Sequence, residues 1–315
     1  MVKHGKAVII VCLAVVIVCL AGLCVWLITG NLFGVGTGFS LGDGLNGGVR
    51  WDLVGGIESG SGDYVQRGTY SVGAEGVGTL RLDWTAGAVS VAPYDGAEIT
   101  LTEYARRELS DSEKLSYSVQ NGTLSVRYTG QNTALGISMP SKRLEIQLPR
   151  ALAQKLTLLS VDGVSADISL SDLGTGALDA NTTSGEITLK NLSADSASLG
   201  TVSGEMALSG ASVRALTANT TSGDCSFAGS FQNVQFDSVS GDMTLSSAAA
   251  PESLKSHTVS GDVTVLIPET EGLSVSQNSV SGDFNSDLAV KLLKSGGAYD
   301  FSSVSGDARI GLLGG

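Results

Sequence analysis

Little in this chain can do redox, metal or acid–base chemistry. Of its 315 residues four are cysteine and two are histidine. Cys12, Cys19 and Cys24 crowd one N-terminal apolar run, which leaves Cys225 as the only thiol elsewhere. Neither a disulfide framework nor a Cys-x-x-Cys pair can be built from that set. Two histidines argue against a His-based metal centre or a catalytic triad. Aromatics are 5% and charged residues 16%, too few for a large conventional core. Basic residues are scarcest where they would matter, 19 against 31 acids for a net charge of −12. Nucleic-acid binding needs clustered Lys and Arg to neutralise phosphates, and this chain is a poor candidate for it.

What is present is glycine, 42 residues of it, beside a 42% apolar fraction that is too high for a disordered chain. That balance predicts many short strands of small residues. One glycine cluster, Gly42 to Gly47 ("GDGLNG"), fits a dinucleotide-loop pattern, but no strand precedes it and no amphipathic helix follows. It is read as linker.

The N-terminus sets the expected compartment. Ala7 to Ile28 is an uncharged apolar stretch of 22 residues, about 33 Å as a helix and enough to span a bilayer core. Lys3 and Lys6 precede it and no Lys or Arg follows until Arg50. The positive-inside rule therefore predicts a cytoplasmic N-terminus, residues 1–6, and an extracellular remainder. A cleaved signal peptide would have a shorter apolar region. A lipobox ending at Cys24 would need a small residue where Leu23 stands. The expectation is an uncleaved single-pass anchor in the cell membrane. Residues 29–63 follow as a Gly-rich linker, with 12 glycines between Gly30 and Asp63.

Internal repetition carries the most information. Seven times the chain writes Ser-Gly-acid, as in "TTSGEITL", "TVSGEMAL" and "SVSGDMTL", with glycines at 185, 204, 223, 241, 261, 282 and 306. "GVSADISL" is an earlier copy with Ala166 in the glycine place. Spacings of 19, 19, 18, 20, 21 and 24 residues fit coils of a parallel β-solenoid, each stacked on its sequence neighbour at about 4.8 Å. Two and four residues past the glycine stand apolar columns, among them Ile187, Met206, Cys225 and Met243, then Leu189, Leu208, Phe227 and Leu245. A third apolar column (Leu178, Ala197, Leu216, Val234, Leu254, Val275, Tyr299) lies seven residues before it. The inward phase is odd before the dipeptide and even after it. Gly185, Gly204, Gly223, Gly241, Gly261, Gly282 and Gly306 are therefore the structural corners between two strands, where glycine's tolerance of positive φ would serve.

Cys225 falls in an inward column and is read as a small hydrophobe. His257 stands where other copies have Asn or Asp and is read as a tolerated corner residue. The one place for chemistry is the acid column of Asp167, Glu186, Glu205, Asp224, Asp242, Asp262, Asp283 and Asp307. Charges stacked at that spacing repel by roughly 0.9 kcal/mol even in bulk water, so something must offset them. Capping of local amides is the favoured reading, and a cation ladder on Asp224, Asp242, Asp262, Asp283 and Asp307 is the alternative. Residues 156–315 carry 6 basic against 18 acidic side chains, a net of −12, whereas 64–155 carry 10 against 9.

Residues 64–155 read as strands of looser spacing that begin and cap the solenoid. Asn121-Gly122 between two alternating runs marks a tight hairpin, Arg106 to Lys114 is a charged loop or short helix, and Pro149 ends "LEIQLP". A strand leading into "GAVSVAPYDGAEITL", then "LEIQLP", then Ser-Gly-acid coils, resembles the bacterial "putative adhesin" family over roughly residues 70–312. That resemblance implies a β-strand-repeat domain behind a single membrane span, located at the cell envelope and often beside envelope-stress systems. It carries no catalytic motif and implies no cofactor.

The fold expectation is thus all-β, a parallel β-solenoid (β-helix-like) of about 19-residue coils over 156–315, preceded by one transmembrane helix. The functional expectation is a non-catalytic binding, adhesin-like or structural role, with a cell-wall polymer or an envelope protein as partner. The runner-up is an envelope-stress sensor acting through a membrane partner. A polysaccharide-acting enzyme is disfavoured because uniform columns mean packing, not a converging site.

Overall fold

The computed structural model describes residues 57–58, 63–133 and 136–314. The predicted anchor over 7–28, its flanking residues 1–6 and nearly all of the linker lie outside the described residues. Among those described, no helix is long and apolar enough to cross a membrane. The one helical element among the described residues is the single turn Arg150–Ala153 that follows Pro149.

The apolar columns face inward as their period dictates. Ile187, Leu189, Met206, Met243, Leu245 and the minus-seven residues Leu178, Leu216, Leu254 and Tyr299 are all buried, while Thr244, one residue out of phase, is exposed. Successive coils pair in parallel and in register, Ile187↔Met206 and Met206↔Cys225 being typical. The ladder does not stop where the regular repeats begin. Leu156–Ser171 pairs along its length with Thr79–Tyr94, from Leu158↔Thr79 to Leu170↔Val91, and one apolar core runs through both halves.

Stacking order departs from sequence order at both ends. At the N-terminal end Thr79–Tyr94 lies inside the stack, between Leu156–Ser171 and an outer rung made of Thr123–Arg127 and Lys142–Pro149. Three antiparallel strands close that end: Glu98–Ala105 on Lys142–Pro149, Val65–Gly73 beyond it, and Ser116–Gln120 on Thr123–Arg127. The hairpin at Asn121-Gly122 forms as predicted, both residues having positive φ (51° and 74°). At the C-terminal end the expectation of sequential stacking is corrected. Tyr299–Ser303 and Ala308–Leu312 pair with the Gly261 coil on one side, and on the other with Leu273–Ser279 and Phe284–Ser286. The last coil in sequence is therefore the penultimate one in space. Val290–Leu293 forms the outer edge on Leu273–Ser276, with Lys291 within it and Lys294 just after it, a composition that discourages edge-to-edge pairing.

Candidate binding groove

The corner glycines do line up in one column, though for a different reason than positive φ. None of the seven has positive φ; the glycines that do are others, such as Gly122 and Gly272. What they require is space. A Cβ on Gly204 would lie 1.8 Å from the Gly185 carbonyl oxygen, and one on Gly223 would lie 1.9 Å from that of Gly204. The same contact continues through Gly241 and Gly261 and then, in the altered order, from Gly306 to Gly261 and from Gly282 to Gly306, all within 2.1 Å. The corner is a place of closest backbone approach. Gly87 occupies this column in the Thr79–Tyr94 rung, in register with Ala166, and its Cβ would meet the Lys142 carbonyl oxygen of the outer rung at 1.9 Å.

Three residues before each corner glycine stands a hydroxyl that sequence reasoning missed, although Thr or Ser recurs there in all seven Ser-Gly copies. The corner N–H of Gly185, Gly204, Gly223 and Gly241 donates to Thr182, Thr201, Thr220 and Ser238 at 2.8–3.2 Å. These hydroxyls are buried. They satisfy an amide that a dry core would otherwise leave unpaired.

The acid column is also ordered. The Asp242 N–H donates to Asp224 at 3.0 Å, the Asp262 N–H to Asp242 at 2.7 Å, the Asp307 N–H to Asp262 and the Asp283 N–H to Asp307, both at 2.8 Å. Asp224, Asp242, Asp262 and Asp307 each cap the amide of the adjacent coil, which offsets part of the repulsion between neighbours. Among the described residues no group of three or more His, Cys, Asp or Glu is arranged to hold a metal ion. Cys225 is buried, and burial pushes its thiol up to about 12, far from a reactive thiolate. His257 Nδ1 lies 2.8 Å from Asp237, whose hydrogen bond raises the imidazole above its ordinary value.

Two further charges close the N-terminal end from within. Glu103 is in phase with Ile99 and Leu101, and Lys142 with Leu144 and Ile146; that phase was legible in the sequence and marks both as inward. Both are fully buried. Lys142 Nζ donates to Glu103 Oε1 and the Glu113 carbonyl at 2.7 Å each, and to the Thr129 carbonyl at 3.1 Å. Its three hydrogens are thus all used, above the ring of Tyr128 at 4.1 Å. Burial pulls the ammonium below its ordinary value and the carboxylate beside it opposes that shift. This is an end plug, and it fixes the 106–115 loop by joining it to the first rungs.

A surface groove with room for a ligand lies on another face. A groove of about 610 Å³ crosses six coils, from Lys155 to Glu252. It lies where the strand changes its inward phase, Asp195 and Ser196 both being exposed: Ala194 pairs with Val213 and Ser196 with Ala215 at the same offset, while Asp195 and Arg214 between them make no ladder pair. The same gap falls at Gly176 and at Gln232. Ser193, Ser212 and Ser230 line one side and are exposed. Asp195 and Arg214 line the other as an ion pair of 2.7 Å, and Gln232 donates to Glu252 at 2.7 Å. Ala194, Val213 and Phe231 are buried beneath. The variable column, unlike the corners, was not picked out by sequence reasoning; its signal is that it fails to repeat.

Parallel coils, inward apolar columns and corner glycines define an all-β solenoid-like repeat protein. Residues 78–307 match the family described as Toastrack DUF4097, and the chain belongs to it, in agreement with the resemblance drawn from its repeats. A crystal structure named as a putative lipid binding protein from Parabacteroides distasonis is similar at 13% identity and a TM-score of 0.55. The match covers 79% of this chain and 98% of that one. One named as a putative adhesin from the same species is similar at 12% identity and a TM-score of 0.52, with the same coverage. At these identities the likeness is one of fold. No curated protein matches the chain.

Proposed function

We propose that this chain is a membrane-anchored, extracytoplasmic β-solenoid that works by binding, without catalysis, and that the groove from Lys155 to Glu252 is its binding face. The observation that carries the reading is a contrast between columns. Corner, hydroxyl and acid columns repeat because they hold coil to coil, whereas the groove column changes at each coil through Gly176, Asp195, Arg214, Gln232 and Glu252. Packing needs uniformity; recognition needs difference. Asp195 pairs with Arg214 and Glu252 accepts from Gln232, and among the described residues no buried nucleophile–base pair faces the groove, which favours binding over turnover. The anchor rests on residues 7–28 and on Lys3 and Lys6. The names of the two similar structures, a lipid binding protein and an adhesin, are consistent with a binding role.

The test has two arms. Protease added to intact protoplasts should remove residues 64–315, and their protection would refute the topology. Capture of wall and membrane fractions by the full-length chain should fall in an Asp195→Ala/Arg214→Ala variant and persist in a Thr244→Ala/Thr264→Ala variant on another face. Equal capture by both would refute the groove.

A further inference from the structure

We infer that the groove takes an extended, uncharged, polyhydroxylated polymer, a glycan strand laid along the axis of the stack; this rests on the reading of the groove as the binding face. Five inter-coil steps at about 4.8 Å give a length of about 24 Å, which an extended oligomer fills and a compact metabolite does not. Charge selects against polyanions. Lys155 and Arg214 balance Asp195 and Glu252, so the groove is neutral on a repeat half whose net charge is −12. A phosphate-rich polymer would meet the field of that body, and a polycation would find a better surface on the acid column.

Hydrogen-bonding capacity points the same way. A sugar hydroxyl donates and accepts, and the three central coils of the groove offer both: the hydroxyls of Ser193, Ser212 and Ser230, the Asp195 carboxylate, the Arg214 guanidinium and the Gln232 amide. Beyond their mutual ion pair, Asp195 keeps a second carboxylate oxygen to accept a hydroxyl and Arg214 keeps further N–H groups to donate to one. A peptide added as a strand would need a free sheet edge, whereas the groove lies on a face whose strands are paired to both sides. An acyl chain would need apolar surface, and Ala194, Val213 and Phe231 are at most 8% exposed.

The experiment uses the full-length chain in detergent micelles and isothermal titration. The probes are N-acetylglucosamine, glucose and mannose hexamers, poly(glycerol phosphate), and phosphatidylglycerol vesicles. At least one neutral hexamer should bind, with an affinity that changes little between low and high salt. It should weaken about tenfold or more in Asp195→Ala/Arg214→Ala and stay unchanged in Thr244→Ala/Thr264→Ala. Matching thermal unfolding of both variants and the parent separates lost contacts from lost fold. Salt-sensitive binding of poly(glycerol phosphate), or vesicle binding, that the groove variant loses would overturn the ligand class and leave the groove as the binding face. Hexamer binding that the groove variant keeps would overturn both readings. Binding of none of the three hexamers would overturn the glycan inference.

Discussion

Gly223→Ala tests the reason for the corner glycines. The new Cβ would lie 1.9 Å from the Gly204 oxygen, where real Cβ contacts essentially never fall below 3.0 Å. The two coils must then part locally by about 1.1 Å, the difference between those distances. Two backbone bonds cross that junction at 2.9 Å, Met206 N–H to Asp224 and Ser222 N–H to Val202, and each would stretch to about 4 Å, beyond hydrogen-bond range. Losing them costs about 1 kcal/mol each, and forcing a methyl into a packed seam adds about 1–3 kcal/mol. The expected loss is therefore about 3–5 kcal/mol. Because solenoid stability is shared between neighbouring coils, it should appear as lost amide-exchange protection at Met206 and Ser222 as well as in the melting curve. Gly272→Ala is the control, since Gly272 has φ +75° and nothing within 4 Å of its would-be Cβ. It should cost only the left-handed penalty of about 1–2 kcal/mol. Asn, which tolerates positive φ, should rescue position 272 relative to Ala and be worse than Ala at 223. Equal losses at the two sites, or rescue of 223 by Asn, would refute the close-approach argument.

Lys142→Met strands the Glu103 carboxylate in a dry core and should cost about 3–5 kcal/mol in thermal or urea unfolding, whereas Lys142→Met with Glu103→Leu should cost less than that single change. Changing Asp224, Asp242 and Asp262 together to Asn keeps an acceptor for each following amide and removes like charges. That variant should melt at or slightly above the parent, with no effect of millimolar calcium on either; a calcium-dependent rise that the variant loses would restore the cation ladder. Asp237 raises the His257 value when folded, so its stabilisation is complete below the ordinary 6.5 and is lost as pH rises through the raised folded value. A pH series of melts should show that loss in the parent and not in His257→Gln. Deleting residues 298–315 should expose 268–297 to protease, because Leu273–Ser279 and Phe284–Ser286 stack on the deleted strands; a protected 268–286 would mean sequential stacking.

A period of about 19 residues, two apolar phases and a dipeptide where the phase changes were enough to specify parallel coils, their inward columns and their corners. These features are legible because a ladder repeats each local requirement once per coil, and one-dimensional spacing records it. Glu103 and Lys142 were not picked out from the sequence; their phase with Ile99 and Leu144 is a signal that could have marked them as inward, but not as partners, since they stand in strands joined only by folding. Three things were decided by the tertiary structure alone. Corner glycine is demanded by the carbonyl oxygen of the adjacent coil, a contact about 19 residues away that no local preference reports. The last coil slots between its two predecessors, because strand order depends on which edges remain open when the chain returns, and spacing is the same for either order. The groove lies where the strand changes its inward phase and Asp195 and Arg214 make no ladder pair, so residues that look like scatter along the chain become neighbours along the stack.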